Sequence, residues 1–485
     1  MDWSRREFLA GTGGLALGGV LGGHLLGCRP GPDFDLCIIG SGFAGTFLGL
    51  EAARAGLSTV ILEAGAESEE GPEPQGLDGN FRFLNGGEID YPLRAARTIG
   101  VGGTSRKWAG VLSRLWPADL ELESRYGMGA DWPLGYDELD PYYCRAEEVL
   151  AAKGYSSRTG EPPRECPYPQ PSEGPYEGPD ELLALDQPEF YPVARSRRDR
   201  GPVRLAKEEI PAFVREPRAT FLSDRQVTRL VTLDGQRIHH VETRGVDGRQ
   251  EVIRARAFVV AAGAIESPRL LLLSTSDGFP TGLGNRSDLV GRFFHVHPLV
   301  ELGFRRQSPL PISDTAHRSY SLNEPFRGSG LSGCSLQFRQ YPGNQILWKI
   351  QPEIEARPTN RIRLSENEVD GFGDALPVVE LDYSERDRQT MAEGEAISAA
   401  QVDRLNDSGD QVGRAERWRM HPAGTCRMGL DEASGVVDRD NRVFGLDNLF
   451  VSGACVFPSS GSSNPTLTVV ALTLRLAEHL EKVLL

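Results

Sequence analysis

The sequence predicts an α/β protein with a parallel sheet, and two strand–turn–helix patterns carry this prediction. In the first, the apolar run 35–39 leads into a glycine-rich turn, a helical stretch that ends at Ala55, and a second apolar run at 59–62. In the second, the apolar run 258–262 leads into Gly263 and a leucine-rich helix start. Short apolar runs followed at once by a turn and a helix are typical of buried parallel strands. We therefore expect a Rossmann-like domain.

The composition excludes a nucleic-acid-binding protein. The chain has 485 residues, of which 39% are hydrophobic and 25% are charged, as is typical of a globular protein with a large core. It contains 53 Lys and Arg against 68 Asp and Glu, for a formal net charge of -15. Binding to a phosphate backbone depends on clustered basic side chains. We therefore expect no nucleic-acid partner.

Residues 1–28 are predicted to be an export signal. Arg5 and Arg6 precede a glycine-rich apolar run, 9–26, which resembles a twin-arginine signal for proteins exported in the folded state. A transmembrane anchor is the alternative, although the glycines make the run weakly hydrophobic. The run ends in Leu-Leu-Gly-Cys at Cys28, which resembles a lipoprotein box; simple cleavage of the signal is the alternative. We expect a periplasmic or other extracytoplasmic location with a lipid anchor at Cys28.

The remaining cysteines predict no metal site. Cys37, Cys144, Cys166, Cys334, Cys426 and Cys455 are scattered along the chain. Zinc sites usually contain closely spaced cysteine pairs, and none is present here. We expect Cys37 and Cys455 to be buried free thiols, and the sequence leaves any disulfide pairing open.

The turn after the first strand carries a dinucleotide-binding fingerprint. It has the pattern G-x-G-x-x-G, and an acidic residue follows about twenty positions later. Its glycines permit a tight turn, close approach of a pyrophosphate and close packing of helix on strand. Glu63 is expected to accept hydrogen bonds from ribose hydroxyls, which disfavours NADP and leaves NAD and FAD. The predicted cofactor contacts in this unit are Gly40, Gly42, Phe43, Ala44, Gly45 and Glu63.

Further motifs, in a fixed order, carry a family resemblance. They are a glycine-dense loop at 100–110, the motif Trp132-Pro-Leu with Tyr136, the turn at Gly263, the run 282–292, and the C-terminal motifs His421-Pro-Ala-Gly-Thr, Val451-Ser-Gly-Ala and Ser463-Asn-Pro-Thr. Together they resemble the glucose-methanol-choline (GMC) family of flavoprotein oxidoreductases over most of the chain beyond the signal. The glycine loop is closest in style to the pyranose oxidase and gluconate dehydrogenase branch.

The resemblance implies FAD as the cofactor and a further set of contacts. These are Gly102, Gly103, Thr104, Ser105, Val227, Ala262, Gly263, Gly453, Ala454, Asn464, Pro465 and Thr466. In some members of the branch, a histidine at the position of Lys107 bonds covalently to the flavin. Because lysine stands there, we expect noncovalent FAD. Trp108 is expected either to pack on the flavin or to fill the core.

The resemblance also implies two interleaved domains. Segments 33–115, 218–300 and 420–485 would form the FAD-binding domain. Segments 116–217 and 301–419 would form an α+β substrate-binding domain built on an antiparallel sheet over the flavin. Within the first substrate-domain segment, residues 160–180 are rich in Pro and Gly and are expected to form a long surface loop or a lid.

His421 and Asn464 are the predicted catalytic pair. Alcohol oxidation needs a base for the hydroxyl proton and an acceptor for the hydride, which is flavin N5. His421 matches the family's catalytic histidine, and Asn464 matches the residue that orients the substrate hydroxyl. Asn464 also fits a helix N-cap with Pro465 at the first helical position. His295 and His297 form an H-x-H pair, but without a third nearby ligand we interpret them as polar core or pocket residues.

The leading hypothesis is an FAD-dependent dehydrogenase of sugar or polyol hydroxyls that passes electrons to a quinone or cytochrome. An oxidase that uses oxygen, a flavin-binding protein without turnover, and an NAD-dependent enzyme are the alternatives. No residue of the sequence separates the dehydrogenase from the oxidase. The presence of both His421 and Asn464 argues against a flavin-binding protein without turnover.

Overall fold

The computed structural model describes residues 31–66, 82–92, 98–154, 161–171, 189–192, 194–196, 202–245, 247–309, 318–409 and 412–485. The predicted export signal, with Cys28, lies outside these residues, as does part of the loop predicted at 160–180. Residues 32–485 belong to one compact unit. In the part of the chain that is described, no helix is long and apolar enough to cross a membrane.

The described strands are β1 (Phe34–Ile39), β2 (Thr59–Leu62), β3 (Leu84–Asn85), β4 (Val111–Leu112), β5 (Ala152–Gly154), β6 (Gln170–Pro171), β7 (Glu189–Pro192), β8 (Ala194–Ser196), β9 (Ala219–Leu222), β10 (Arg225–Thr232), β11 (Ile238–Gly245), β12 (Gln250–Ile253), β13 (Ala255–Val260), β14 (His295–Arg305), β15 (Arg318–Ser321), β16 (Cys334–Tyr341), β17 (Gln345–Pro352), β18 (Arg361–Val369), β19 (Ala375–Glu380), β20 (Gly413–Ala423) and β21 (Leu449–Val451).

The described α-helices are α1 (Phe43–Arg54), α2 (Leu122–Tyr126), α3 (Tyr136–Val149), α4 (Glu209–Val214), α5 (Gly263–Leu273), α6 (Asn323–Gly328), α7 (Glu385–Leu405) and α8 (Thr466–Leu484). Short 3-10 turns occupy Gly103–Arg106, Pro117–Leu120 and Ala454–Val456.

The predicted parallel sheet is present and has five strands in the order β21-β13-β1-β2-β9. All neighbouring strands in it run parallel. The central strands are apolar because both faces are covered, and Leu36, Ile38, Val60 and Ile61 are fully buried. α1 packs against β1, β2 and α8. The expected α/β fold class is confirmed, and the strands come from three separated stretches of the chain.

A second, six-stranded sheet is antiparallel and has the strand order β20-β14-β17-β16-β15-β7. Alternate residues of β14 and β17, such as Val300 and Trp348, bury one face against α7. The opposite face therefore remains available for a cavity. β14 and β20 pair with each other and run across the domain boundaries predicted at 300 and 419.

A disulfide joins Cys144 on α3 to Cys166, 22 residues later. The sequence left this pairing open. The expected free thiols Cys37 and Cys455 are confirmed: both are buried and lack a disulfide partner among the described residues.

Replacing both Cys144 and Cys166 with serine is expected to lower the free energy of unfolding by about 3 kcal/mol, because the crosslink closes a loop of roughly twenty residues in the unfolded chain. Urea denaturation under non-reducing conditions measures this difference. A reductant should destabilise the wild type and leave the double variant unchanged. Equal stability of the two proteins would show that the crosslink contributes nothing.

Candidate active site

The glycine turn between β1 and α1 is packed so tightly that side chains are excluded at two of its positions. A Cβ added to Gly45 would lie 1.8 Å from the carbonyl oxygen of Gly40, and one added to Gly40 would lie 2.6 Å from that of Ala261. Gly42 differs, because its added Cβ would meet no protein atom within 4 Å. Gly40 and Gly45 thus hold helix and strand together, while Gly42 borders open space at the N-terminus of α1.

A cavity of about 440 Å³ begins at this turn and extends to the antiparallel sheet. Most of the predicted cofactor and catalytic residues line it: Gly40, Gly42, Phe43, Ala44, Glu63, Gly103, Thr104, Val227, Ala262, Gly263, His421, Gly453, Ala454, Asn464, Pro465 and Thr466. Gly45, Gly102 and Ser105 do not line it. Gly45 packs on the turn, and the Ser105 hydroxyl donates to the Gly102 carbonyl at 2.7 Å. These residues therefore support the residues that line the cavity and do not line it themselves.

Three residues that line the cavity each have a buried polar side-chain atom with no hydrogen-bond partner among the described residues. These atoms are Thr98 Oγ1, Gln226 Oε1 and Asp374 Oδ2. A buried polar group left unpaired costs about 1–3 kcal/mol, so such atoms on a cavity wall indicate a polar ligand. With the open space beside Gly42, they fit a dinucleotide such as FAD. No sequence motif marks these three residues, so the sequence does not predict them as part of the site.

The Glu63 carboxylate fastens the glycine turn to β2. It accepts hydrogen bonds from the Ser41 amide at 3.0 Å, the Ser41 hydroxyl at 2.6 Å and the Gly65 amide at 2.9 Å. Burial raises the pKa of this carboxyl, and the hydrogen bonds oppose the shift. Ser41 Oγ also accepts from the Gly102 amide at 3.0 Å, which ties the glycine-dense loop to the turn. The expected ribose contact of Glu63 stays a prediction.

Trp108 lies between the core and the cavity, and its packing on the flavin stays a prediction. Its indole lines the cavity and is 9% exposed. It packs edge-on against Phe43 with 4.8 Å between ring centres, and its Nε1 donates to the Val203 carbonyl at 2.7 Å. Lys107, at the position expected to decide covalent attachment, also lines the cavity.

His421 is turned into the cavity by an irregularity in β20. Opposite His295 and His297 of β14 stand Ala423 and Met420, so β20 holds two residues where β14 holds one. His421 has a φ of +61°, in the left-handed region that histidine occupies more readily than most residues. Such bulges redirect side chains and are common beside active sites.

The structure brings the predicted catalytic pair together. The amide Nδ2 of Asn464 lies 3.2 Å from Nε2 of His421, although the residues are 43 positions apart. Gln337 Nε2 donates to Asn464 Oδ1 at 3.3 Å, which fixes the orientation of the amide.

The predicted N-cap role of Asn464 is wrong. Pro465 is the N-cap of α8 and the Asn464 side chain makes no capping bond, because it is directed to His421 and Gln337 instead.

His297 contacts His421 from the side opposite Asn464. The Nδ1 atoms of the two imidazoles are 2.9 Å apart, and His297 Nε2 lies 2.7 Å from the Gly461 carbonyl oxygen. His295 uses its ring nitrogens differently, bonding to the Phe293 carbonyl at 2.8 Å and the Ser460 hydroxyl at 2.7 Å. The sequence placed both histidines in the polar core or pocket but missed the contact with His421.

The loop before Asn464, the serine loop (459–464), is held from several sides. Its bonds are Trp132 Nε1 to Ser459 Oγ (2.9 Å), Ser462 Oγ to Asn323 Oδ1 (2.7 Å), Gln351 Nε2 to the Ser462 carbonyl (2.7 Å) and Ser463 Oγ to the Arg114 carbonyl (3.1 Å). Residues this constrained hold a functional group in place at little further entropic cost. The serine loop therefore positions Asn464 against His421.

The surroundings keep the site histidines neutral. Removal from water lowers the pKa of His421 well below 6.5, and His297 and the positive charge of Lys349 act in the same direction. Burial likewise lowers the pKa of His297, and lowers that of His295 to about 4. A neutral imidazole has a lone pair and can accept a proton.

Among the described residues, no group of three or more His, Cys, Asp or Glu is arranged to hold a metal.

Comparison with known proteins finds related oxidoreductases. Two family models, both described as GMC oxidoreductase, match residues 205–299 and 356–473. The fructose dehydrogenase large subunit of Gluconobacter japonicus is 28% identical, over 92% of this chain and 97% of that protein. The C-glycoside 3-oxidase of Microbacterium trichothecenolyticum is 27% identical, over 88% of this chain and 80% of that protein.

A solved structure supports the fold independently. The crystal structure of pyridoxine 4-oxidase from Mesorbium loti superposes with a TM-score of 0.66 at 20% sequence identity, covering 92% of this chain and 98% of that one. The two matching family segments contribute β13 and α5 beside the glycine turn, and also His421 and Asn464. The chain therefore belongs to the GMC oxidoreductase family and is an FAD-dependent enzyme that acts on CH–OH groups.

Proposed function

We propose that the enzyme oxidises a hydroxyl-bearing carbon of a sugar or polyol, with His421 as the base, and passes the electrons to a quinone or cytochrome. The observation that carries the proposal is the pair formed by His421 and Asn464 on the wall of the cavity that begins at the glycine turn. An imidazole and a carboxamide in contact provide one group that accepts the hydroxyl proton and one that orients the hydroxyl.

In this proposal, His421 takes the proton of the substrate hydroxyl at Nε2, and the Asn464 amide holds the oxygen. Bound FAD supplies the hydride acceptor. The serine loop and the bulge of β20 keep the two side chains aligned, so little reorganisation is needed when substrate enters. Lys107 stands where a covalent flavin link would require histidine, which supports noncovalent binding.

The wall contributed by the antiparallel sheet favours a polyhydroxylated substrate. Gln337, Lys349 and Gln351 line the cavity on the same sheet face as Leu299. Amide and ammonium groups suit the hydroxyls of a sugar or polyol, because each hydroxyl can both donate and accept. Two of the relatives are named for action on fructose and on C-glycosides, which agrees with this substrate class.

The proposed location is the extracytoplasmic face of the membrane, where a quinone or cytochrome would be accessible. The twin-arginine pattern and the lipoprotein box at Cys28 support it. The disulfide between Cys144 and Cys166 also fits an oxidising compartment. The relatives include proteins named dehydrogenase and proteins named oxidase, so the electron acceptor must be determined directly.

Anaerobic titration of the holoenzyme tests the proposal. Fructose, other sugars, linear polyols and simple alcohols are added separately, and the loss of flavin absorbance is recorded. We expect a sugar or polyol to reduce FAD, and the reduced enzyme to be reoxidised much faster by a soluble quinone than by oxygen. Faster reoxidation by oxygen would identify an oxidase, and failure of every compound to reduce FAD would indicate a non-catalytic flavin-binding protein.

Burial is the main cause of the low pKa of His421, and Lys349 is expected to lower the acid limit of activity further. Its positive charge helps lower the pKa of His421, and its Nζ lies 3.1 Å from Glu301 Oε1. Since the base works unprotonated, flavin reduction should stay level through pH 6.5 and fall only at lower pH. Lys349→Gln should raise the pKa of His421. The acid limb of the pH profile, where the rate falls with decreasing pH, should then move to higher pH by about half to one unit. The pH profile of flavin reduction at saturating substrate measures the shift.

Glu301→Gln is the matched charge control. It removes the carboxylate that partners Lys349 and leaves the positive charge in place. The acid limb should then stay where it is or move to lower pH. An upward shift in both variants would mean that lost packing, and not charge, controls the pKa of His421.

A further inference from the structure

The hydrogen bonds around His297 determine which of its nitrogens carries hydrogen. The Gly461 carbonyl oxygen, 2.7 Å from His297 Nε2, can only accept, so Nε2 must be the N–H. Burial lowers the pKa of His297, which keeps the ring neutral. A neutral imidazole with hydrogen on Nε2 has a lone pair on Nδ1. That lone pair lies 2.9 Å from His421 Nδ1.

The tautomer of His421 follows from this contact. Because His297 Nδ1 accepts, His421 Nδ1 must donate and therefore carries the hydrogen. In a neutral ring this leaves the lone pair on Nε2, the atom that lies 3.2 Å from the Asn464 amide nitrogen. The Asn464 orientation agrees, since its Oδ1 is engaged by Gln337 and its NH₂ group is left to donate.

We infer that His297 is a positioning residue that fixes the productive tautomer of His421, with the lone pair on Nε2. The inference rests on the proposed role of His421 as the base. The described cavity wall includes His421 and Asn464 but not His297, so His297 acts through His421. Without an acceptor at Nδ1, the tautomer with hydrogen on Nε2 competes, and that form cannot take a proton at the atom beside Asn464.

His297 also links the two halves of the catalytic pair. It belongs to β14, the strand opposite the bulge that presents His421, and it bonds to Gly461 in the serine loop that ends at Asn464. A shift of the loop would therefore be transmitted to His421 through the same ring.

Other charged groups act on His297 from neighbouring elements. The carboxylate of Glu353, after β17, favours protonation of His297, but it is engaged by Arg327 at 2.7 Å and by the Gly333 amide at 3.2 Å. The neighbouring His295 is itself kept neutral by burial. The positive charge of Lys349 disfavours protonation of His421. These surroundings are consistent with two neutral rings joined by one hydrogen bond.

Two substitutions separate the acceptor from the rest of the His297 side chain. An asparagine places an amide oxygen near the position of Nδ1, so His297→Asn keeps an acceptor for His421 and loses the bond to Gly461. A glutamine places an amide nitrogen near the position of Nε2, so His297→Gln keeps the donor to Gly461 and loses the acceptor. We expect flavin reduction by substrate to fall about 10- to 100-fold in His297→Gln. This is less than the roughly 10²–10⁴-fold that a general base contributes, because His421 is still present and only its tautomer is disturbed. His297→Asn should recover a large part of this loss.

The FAD content of each variant is measured first, and rates are compared only for FAD-loaded protein. If His297 serves only to hold Gly461, the order of the two variants reverses, and the inference is overturned. Equal rates in His297→Gln and the wild type would overturn it as well.

A spectroscopic readout tests the tautomer without relying on turnover. Two-bond ¹H–¹⁵N correlation spectra of the wild-type holoenzyme, labelled with [¹⁵N]histidine, distinguish protonated from unprotonated ring nitrogens. The His421 signal is assigned by its absence from His421→Asn. We expect hydrogen on Nδ1 in the wild type; hydrogen on Nε2 would refute the inference. If His421→Asn leaves flavin reduction intact while the spectrum shows the expected tautomer, the proposed base is wrong but the hydrogen-bond assignment stands.

Discussion

Replacement of His421 with asparagine is expected to slow the reduction of bound FAD by substrate about 1,000-fold, within the range of 10²–10⁴ that a general base supplies. Asparagine suits this test better than alanine, because the backbone at His421 has a φ of +61° and asparagine tolerates that conformation. The fold and the cofactor site should therefore survive. Anaerobic stopped-flow measurement of flavin absorbance at saturating substrate gives the rate directly.

A matched control is available in His239→Asn. His239 lies on β11, outside the residues that line the cavity, so the same exchange should leave the rate within a factor of about two. Both variants should contain FAD in the same ratio to protein as the wild type. If His421→Asn reduced its flavin at the wild-type rate, the proton would have to leave through another group and the proposed mechanism would be abandoned.

The local parts of the fold were predictable because each depends on neighbours in sequence. The runs predicted at 35–39 and 59–62 correspond to β1 and β2, and the turn at Gly263 begins α5 as expected. The strand order was not predictable in this way. β9 and β21 join the parallel sheet through pairings with strands that are distant in sequence, and the antiparallel sheet was expected only from the family resemblance. Non-local pairing depends on the whole set of packed surfaces, which no local pattern contains.

The candidate site shows the same division. His421 and Asn464 were found because both lie in motifs. His297 was placed only as a polar residue, since its contact with His421 spans 124 positions and exists only once β14 pairs with the bulged β20. The local pattern Asn464-Pro465 predicts an N-cap, but the tertiary contacts with His421 and Gln337 direct the Asn464 side chain away from the helix. Unpaired polar atoms such as Thr98 Oγ1 can be identified only in the folded structure, because their burial and their lack of a partner depend on tertiary packing.

Gly42→Ala is expected to weaken FAD binding about 10- to 100-fold while leaving the protein itself stable. The added methyl group would meet no protein atom within 4 Å, and the backbone at Gly42, with φ -68° and ψ -169°, is open to alanine. The methyl group would instead occupy the space where the fingerprint lets a pyrophosphate approach. Crowding of this kind costs about 1–3 kcal/mol, which matches the expected loss of affinity. FAD titration by fluorescence quenching measures it.

Gly45→Ala, three residues further along, should fail for a different reason. Its methyl group would lie 1.8 Å from the Gly40 carbonyl oxygen, so α1 must move away from the turn. We expect a loss of about 3 kcal/mol or more in unfolding free energy, together with loss of FAD. Thermal unfolding at increasing FAD concentrations separates the two cases: Gly42→Ala should approach wild-type stability when FAD is depleted, whereas Gly45→Ala should stay below it. If both variants unfolded alike without FAD, Gly42 would be a packing residue like Gly45, and the open space beside it would not be the pyrophosphate site.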